Sequence, residues 1–460
     1  MKSIRFITAL WAGKAAMKAI DLVAKGRGTN MPGSIALKID PLFVSHVGGV
    51  DPEKVIFVTG TNGKSTTTSI IAHVLANTGH PVAANLSGAN LIGGAAVTML
   101  QNTTLGGNLN KDYVLLETDE RFMGIIRKQL PAGNICVTNL QKDQVQRNGE
   151  PDIIWQRVAS AIKDGGRGVK VFLNTNEPNS YGLSKLGAET VGYGVEPHEL
   201  SYEREDDFFT VTMPCPICHN PIEFDKYNIE NIGPFRCPTC GFGTEASEGP
   251  AAPSKTYVAQ SVDFSGEKFT CDGHEYPFHC STPFFLYSYI PAIAICRELG
   301  IAEADIAGAL DSYTEPIGRL ATKQIGGRDV EFIKMKQENP ETLQSSIDYI
   351  ARDDAESKMF MLGLDEYLDF EPAYTNSFYL FDCDFRRLAE SGIRDWVCMS
   401  AAMGTSAAVR LLYDGFKPEN MKVLDNDREP DMAAAIGETS AEKIYLAEEV
   451  PFFKRRVETH

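Results

Sequence analysis

The chain is short of positive charge. Its 460 residues carry 44 Lys and Arg against 61 Asp and Glu, a formal net charge of −17. Coating nucleic acid takes a basic surface, so the charge argues against a bulk nucleic-acid binder; it does not argue against a single nucleotide bringing its own Mg²⁺. An apolar run long enough to cross a bilayer is also missing. Residues 3 to 12 are largely apolar, but Arg5, Lys14 and Lys18 break the pattern and no small-residue cleavage site is evident. Residues 3 to 25 therefore read as an amphipathic helix, not a signal peptide or a membrane span. Packing on the protein is its expected use, and contact with a membrane surface the alternative. A secretory cysteine pattern is absent too. Of ten cysteines, four sit in two Cys-x-x-Cys pairs and six stand singly at 136, 271, 280, 296, 383 and 398, which suits a reducing cytoplasm. No internal repeat or low-complexity tail interrupts a chain long enough for several domains.

What is present centres on Val55-Ile-Phe-Val-Thr-Gly60-Thr-Asn-Gly-Lys-Ser-Thr-Thr67. The apolar residues predict a buried strand, and a helical pattern runs from Ser69 to Thr78, where Gly79 stops it. Between them, two glycines let backbone N–H groups turn toward one point. Lys64 adds a mobile charge, Ser65 a hydroxyl for Mg²⁺, and the helix its positive dipole end. The plainer alternative is an ordinary glycine-rich turn, but Lys-Ser directly behind the second glycine favours a nucleotide phosphate. The usual P-loop spacing would put a glycine at Val58, so this loop is a shortened one.

The same unit recurs. Strand Asp112-Tyr-Val-Leu-Leu-Glu117 runs into Thr-Asp119-Glu120. Ligands bind beyond the carboxyl ends of parallel strands, so these acids are expected to face the loop, with Glu117 or Glu120 as a Mg²⁺ ligand; an acidic helix cap is the alternative. Strand Asn134 to Thr138 ends in Asn139-Leu-Gln-Lys-Asp143-Gln144, and strand Val169 to Leu173 delivers Asn174-Thr-Asn-Glu-Pro178. Strand, polar tip, helix predicts a doubly wound α/β sheet. Ahead of it, Gly26 to Gly33 reads as a turn-rich connection and Pro41 as the start of a helix.

The pattern breaks over 200 to 256, which holds Cys215-Pro-Ile-Cys218 and Cys237-Pro-Thr-Cys240 with eighteen residues between. Two such knuckles at that spacing predict a zinc ribbon, structural because four thiolates leave no open position. A pair of redox dithiols is the alternative. His219 is expected to be a bystander, and the segment has too few Lys and Arg for a nucleic-acid finger. Strands at 257–259 and 262–264 and helices at 283–299 and 305–311 return to the α/β body. The linker Thr314-Glu-Pro-Ile-Gly-Arg319 puts a domain boundary near 316 to 318. A smaller α/β domain follows, with strands at Val330–Ile333, Met359–Leu362, Phe378–Phe381, Trp396–Met399 and Lys443–Leu446.

Together the Gly60-to-Ser65 loop, the strand ending at Glu117, Thr138-Asn-Leu with Asp143-Gln144, Asn174 with Pro178, and Gly318-Arg319 resemble the Mur ligases, over nearly the whole chain. The MurT type is the most similar. A loop beginning at Gly60 leaves no room for the UDP-binding domain of the peptide-adding enzymes, a four-cysteine ribbon interrupts the ATPase domain, and Lys334-Met-Lys-Gln-Glu-Asn-Pro340 and Leu362-Gly-Leu-Asp365 are similar to that type's segments. The resemblance implies an α/β Mur ligase-like central domain over 1–316, with a parallel sheet and the ribbon inserted at about 205–255, and a C-terminal α/β domain over 317–460. It implies ATP and Mg²⁺ as cofactors beside structural Zn²⁺ on Cys215, Cys218, Cys237 and Cys240. Gly60, Thr61, Asn62, Gly63, Lys64, Ser65, Thr66, Asn139, Asn174 and Arg319 would contact the nucleotide. Ser65, Glu117 and Glu120 would surround Mg²⁺, with Lys64 and Glu117 in catalysis.

The implied reaction phosphorylates the α-carboxylate of D-glutamate in the lipid II stem peptide, at the inner face of the cell membrane, and ammonia then displaces phosphate. Domain closure about residue 317 would complete the site. Cys398 reads as a core cysteine, not a glutaminase nucleophile, so ammonia is expected from a separate GatD-type glutaminase subunit. The C-terminal domain of the family lends that partner's histidine an aspartate. The matching segment is Phe378-Tyr-Leu-Phe-Asp382-Cys-Asp384-Phe385, with Asp382 first choice, Asp384 second, and a solvated acid pair the alternative. Three departures stand out. Asn174-Thr-Asn-Glu-Pro178 replaces Asn-Ala-Asp-Asp-Pro, Asp365 to Pro372 replaces an Asp-Gly-rich loop, and Ser400 to Thr405 lacks the charges expected there. A stand-alone amide ligase of the folylpolyglutamate synthase type and a non-catalytic ATP-binding scaffold are the competing functions.

Overall fold

Alternation along one strand sets the layers of the first unit. In β1 (Val55–Thr59), Ile56 and Val58 enter one hydrophobic core while Val55 and Phe57 enter another, all fully buried. A strand buried on both faces belongs inside a helix-covered parallel sheet. The computed structural model describes residues 2–23, 30–86, 88–164, 168–203, 214–229, 231–244, 252–279, 282–314, 320–364, 376–426 and 428–449. These divide into two units. The first holds the described residues up to 141 and from 150 to 314; the second holds 142–149 and those from 320 on.

In the first unit, β1 is joined by β2 (Val82–Ala84), β3 (Tyr113–Glu117), β4 (Asn134–Val137), β5 (Lys170–Asn174) and β6 (Glu189–Val195). The segment between the two Cys-x-x-Cys pairs contributes a separate hairpin, β7 (Glu223–Phe224) and β8 (Phe235–Arg236), and β9 (Lys255–Asp263), β10 (Lys268–Cys271) and β11 (His274–Pro277) follow. The nine-stranded sheet runs β11-β10-β9-β6-β5-β4-β1-β3-β2, parallel from β9 to β2 and antiparallel at the β9–β10–β11 edge. Helices Lys64–Asn77, Pro283–Glu298 and Glu303–Asp311 cover the face of Ile56; Ile4–Val23, Met31–Ile39, Ile92–Gln101 and Pro151–Lys163 cover the other.

The first helix is packed as expected. Phe6, Ala9 and Leu10 are buried, Arg5 donates to the Ile39 carbonyl and Lys14 to that of Leu100. No described helix is long and apolar enough to cross a membrane.

Several boundaries differ from the sequence reading. The helix behind the loop begins at Lys64, not Ser69, because Gly63 takes φ 83° and caps it directly. Residues 31–33 are helical, since Pro32 sits in a first turn where its missing N–H costs nothing. The segment after Pro41 forms only the short helix Phe43–His46. Residues 257–259 and 262–263 belong to the single strand β9, and Phe264 opens the turn that follows it. The largest correction lies in the second unit. Phe378–Asp382 is a 3₁₀ turn, not a strand: consecutive Tyr379 and Leu380 are buried while Phe378 and Phe381 are exposed, a pattern of period three instead of two. The side chain of Asn376 starts it by accepting from the Phe378 N–H at 2.9 Å.

The second unit is built on β12 (Leu320–Ile325), β13 (Arg328–Met335), β14 (Lys358–Gly363), β15 (Ile393–Met399), β16 (Met421–Leu424) and β17 (Lys443–Glu449). Their order is β12-β13-β17-β14-β15-β16, with only β12–β13 antiparallel. Phe360 and Leu362 face one core, Met359 and Met361 the other.

Candidate active site and candidate metal centre

The loop between β1 and its helix is held from below. Thr61 donates its N–H to the Asn139 carbonyl at 2.8 Å, Asn62 donates its N–H to Asn139 Oδ1 at 2.9 Å, and Asn139 Nδ2 returns a bond to the Asn62 carbonyl at 3.0 Å. Gly60 has φ 127°, and a Cβ there would fall 2.2 Å from Thr138 Oγ1, so only glycine lets the loop lie on the tip of β4. Gly60, Thr61, Asn62, Gly63 and Asn139 thus form one rigid turn capped onto a helix N-terminus. Such an end presents backbone donors and a positive dipole to an anion.

Charge is arranged around that turn. Lys64 folds back onto the carbonyls of Gly60 and Thr61 and pairs with Glu120 Oε1 at 2.9 Å. Ser65 donates its hydroxyl to Glu117 Oε2 at 2.7 Å, and Glu117 is nearly buried. A hydroxyl oxygen beside a carboxylate is a hard donor set of the kind Mg²⁺ takes. Of the three expected acids, Asp119 pairs with Arg121 instead of with a loop side chain, though the charge of Lys64 still acts on it. Burial raises its pKa, but a bidentate bond from Arg121, at 2.8 and 3.0 Å, outweighs this and holds the carboxyl below its ordinary range. Nor do the acids cap the next helix, whose first flanking residue is Phe122.

Asn174, fully buried at the end of β5, donates to the Thr138 carbonyl at 3.3 Å and so sits beside the residue that Gly60 covers. Glu177, which departs from the family pattern, points inward. Its carboxylate accepts from the backbone amides of Asn179, Ser180 and Leu140, and burial, partly offset by those bonds, pushes its pKa up to about 7. Thr66 lies in the helix's first turn. Arg319 and the hinge at 317 lie outside the described residues, as do the segment 365–375 and residues 204–213 and 245–251 of the ribbon.

Sequence reasoning missed three contributors to this end of the sheet. Asn85, behind β2, brackets Glu117 by donating to its carbonyl and accepting from its N–H, both at 2.8 Å. Gln141 exchanges bonds with the Thr61 hydroxyl. Ser288 brings a buried hydroxyl, with no hydrogen-bond partner, within 3.3 Å of where a Cβ on Gly63 would lie. The first two stand at strand tips, a signal the sequence carried.

The Sγ atoms of Cys215, Cys218, Cys237 and Cys240 lie within 4.8 Å of one another, with Cys215–Cys240 at 3.6 Å and Cys218–Cys237 at 3.5 Å. A Zn²⁺–S bond of about 2.3 Å gives a tetrahedron with edges of about 3.8 Å, so the four-cysteine cluster has the size and softness such an ion takes. Ile217 and Asn220 donate N–H groups to Cys215 and Cys218 sulfur. His219 is held at φ 62° by its backbone and is not among the clustered donors.

In the second unit, Asp382 ends the 3₁₀ turn and pairs with Lys142 at 3.0 Å. Asp384 is gripped by Arg386, through the guanidinium at 2.8 and 3.0 Å and the backbone N–H at 2.9 Å. Cys398 is fully buried in β15 and burial pushes its thiol far up, as suits a core residue.

Comparison with known proteins adds to this geometry. Residues 337–449 match the family described as MurT ligase C-terminal. The chain is 26% identical over 387 residues to the lipid II isoglutaminyl synthase (glutamine-hydrolyzing) subunit MurT of Staphylococcus aureus strain COL, covering 84% of this chain and 83% of that one. Among solved structures it resembles a pseudomurein peptide ligase type C from Methanothermus fervidus, with TM-score 0.64 and 16% identity over 88% of this chain and 78% of the other. It also resembles a MurF ligase from Thermotoga maritima in complex with ADP, with TM-score 0.54 and 13% identity over 89% and 80%. These last two likenesses concern the fold: an α/β Mur ligase architecture with parallel sheets and a C-terminal domain.

Proposed function

We propose, on the premise that this chain is a MurT-type member of the Mur ligase family, that this ATP-dependent ligase amidates the α-carboxylate of D-glutamate in the lipid II stem peptide. A carboxylate is a poor electrophile, so the γ-phosphoryl of ATP is first transferred to it, and ammonia then displaces phosphate to leave D-isoglutamine. The observation that carries this reading is the coupling of Ser65 to Glu117 and of Lys64 to Glu120 across one helix N-terminus. Phosphoryl transfer is mostly positioning and charge neutralisation. The loop amides and Lys64 would hold the β- and γ-phosphates, Ser65 and Glu117 would hold Mg²⁺ with Glu120 beside it, and Asn139, Asn174 and Arg319 would meet the rest of the nucleotide. The four cysteines would hold a structural Zn²⁺.

Ammonia comes, on this proposal, from a glutaminase subunit of the GatD type, in keeping with the relative's being named a subunit. Asp382 is the better candidate to orient that partner's histidine, because Arg386 holds both carboxylate oxygens of Asp384, whereas Lys142 pairs with Asp382 through Oδ1. Exposed Phe378 and Phe381 flank it in the same 3₁₀ turn and offer apolar area for a partner. The work takes place at the cytoplasmic membrane surface, where lipid II is anchored. The test is to co-purify the chain with its candidate glutaminase and assay glutamine-dependent amidation of lipid II with ATP. A complex and D-isoglutamine are expected; neither appearing overturns the reading. ATP consumption that depends on an added amino acid would instead favour the folylpolyglutamate synthase-like function.

A further inference from the structure

The ribbon is joined to the sheet by more than its cysteine cluster. Its small core of Tyr181, Ile222, Phe235 and Phe242 is apolar, yet a chain of buried polar groups runs from it to the tip of β5. Asn228 is fully buried. Its Nδ2 donates to the Val195 carbonyl and to the Tyr287 hydroxyl, both at 2.9 Å, and its Oδ1 accepts from the Ser201 hydroxyl at 2.7 Å. Tyr287, from helix Pro283–Glu298, donates onward to Asn176 Oδ1 at 3.1 Å, and that oxygen also accepts the Val195 N–H at 2.6 Å. An amide nitrogen only donates and a phenol has one hydrogen, so the chain runs in one direction and each group in it is matched.

Two backbone contacts reinforce it. Gly233 donates its N–H to the Asn176 carbonyl at 3.0 Å, and the Thr244 hydroxyl donates to the Thr175 carbonyl at 2.8 Å. Room for this is left in β6, where a Cβ on Gly194 would fall 2.8 Å from Asn176 Oδ1. Burying these groups is unfavourable unless every one is satisfied. A knot serving only its own stability needs none of them.

We propose that Asn228 and Tyr287 are positioning residues: they make the ribbon a brace that fixes the turn at 174–177 beside the phosphate loop and so set nucleotide affinity. This rests on the nucleotide reading of that loop. The turn is one bond from it, because Asn174 reaches the Thr138 carbonyl and Thr138 lies under Gly60.

The full-length, zinc-loaded chain tests this by calorimetric titration with ADP and Mg²⁺. Y287F and N228A are each expected to weaken ADP about fivefold to tenfold, the scale of one buried hydrogen bond, while zinc per chain stays at the wild-type value. The double variant should bind like either single one, because both act through Asn176. R236A, at an exposed position on the ribbon hairpin, should bind as wild type. Wild-type affinity in Y287F and N228A overturns the brace, and so does equal weakening in R236A, which would mean that any damage to the ribbon suffices. If the wild-type chain itself binds no ADP, the nucleotide reading has failed, and hydrogen exchange decides the brace alone. Faster exchange of the 175–177 amides in Y287F with zinc retained supports it; unchanged exchange overturns it.

Discussion

A carboxyl group buried without a full set of partners changes its own proton affinity first. Glu341 in the second unit is such a group. Burial above all pushes its pKa from 4.5 up to about 8; a bond from its own backbone N–H opposes this, the charges of Asp143 and Asp382 add to it, and Lys142 lowers it slightly. The unfolded chain releases this proton near pH 4.5 and the folded chain keeps it to about pH 8, so the stability it contributes is whole below pH 4.5 and is lost as pH rises toward 8. Glu341→Gln keeps the neutral form throughout. The variant should melt with the wild type near pH 4.5 and above it at pH 8, by roughly 2–4 °C for each kcal/mol recovered. Identical melting curves at pH 8 would show that the site relaxes around the charge. Sequence offered no hint of this residue, because a Glu in the first turn of a helix ordinarily faces water.

Among the elements, the 3₁₀ turn Phe378–Asp382 and the ribbon carry the sharpest consequences. For the proposed role of Asp382, Asp382→Asn should abolish amidation driven by glutamine and spare amidation driven by added ammonium, whereas Asp384→Asn should disturb both only as far as it loosens Arg386. Loss of both ammonia sources in D382N would make Asp382 a structural residue. For the ribbon, Cys237→Ser should release zinc, measured by elemental analysis, and lower the melting temperature of the first unit, because metal binding and folding of such a knot are one equilibrium. An unchanged melting temperature would refute a structural ion. The elements differ in how plainly the sequence declared them. β1, β3, β4 and β5 were legible because strands buried on both faces are nearly all apolar and end in polar tips. The meeting of the four cysteines was legible from their spacing alone. β2, β10, β11 and β16 were not, being short and at or near sheet edges, where burial does not dictate composition. The turn at 378 was misread because four aromatic and aliphatic residues in a row mimic a strand when exposure is unknown.

At the scale of the whole molecule, the strands and turn around the Gly60 loop were readable and the second unit much less so. The reason is that the second unit borrows residues from far upstream. Lys142 reaches Asp382, Asp143 meets Lys336 and Asn339, and Gln144 donates its N–H to the Glu338 carbonyl. No local pattern announces a partner that distant in sequence. Deleting residues 443–460 provides a test at this scale. It should abolish the cooperative unfolding of the second unit, followed by circular dichroism, while the first unit retains zinc; persistence of both transitions would mean that the second sheet stands without its last strand.

That last strand has an odd seat. β17 lies between β13 and β14 and pairs in parallel with both, so the facing edge of each neighbour has no hydrogen-bonded strand until it arrives. On the ribosome the first unit can close early. The second waits with two unsatisfied strand edges turned toward a gap that residues 443–449 must fill, and unsatisfied edges invite pairing with other chains. A nascent chain interrupted before residue 443 would therefore forfeit the centre of its second sheet instead of a dispensable margin, and the cell's proteases would meet an open half-molecule.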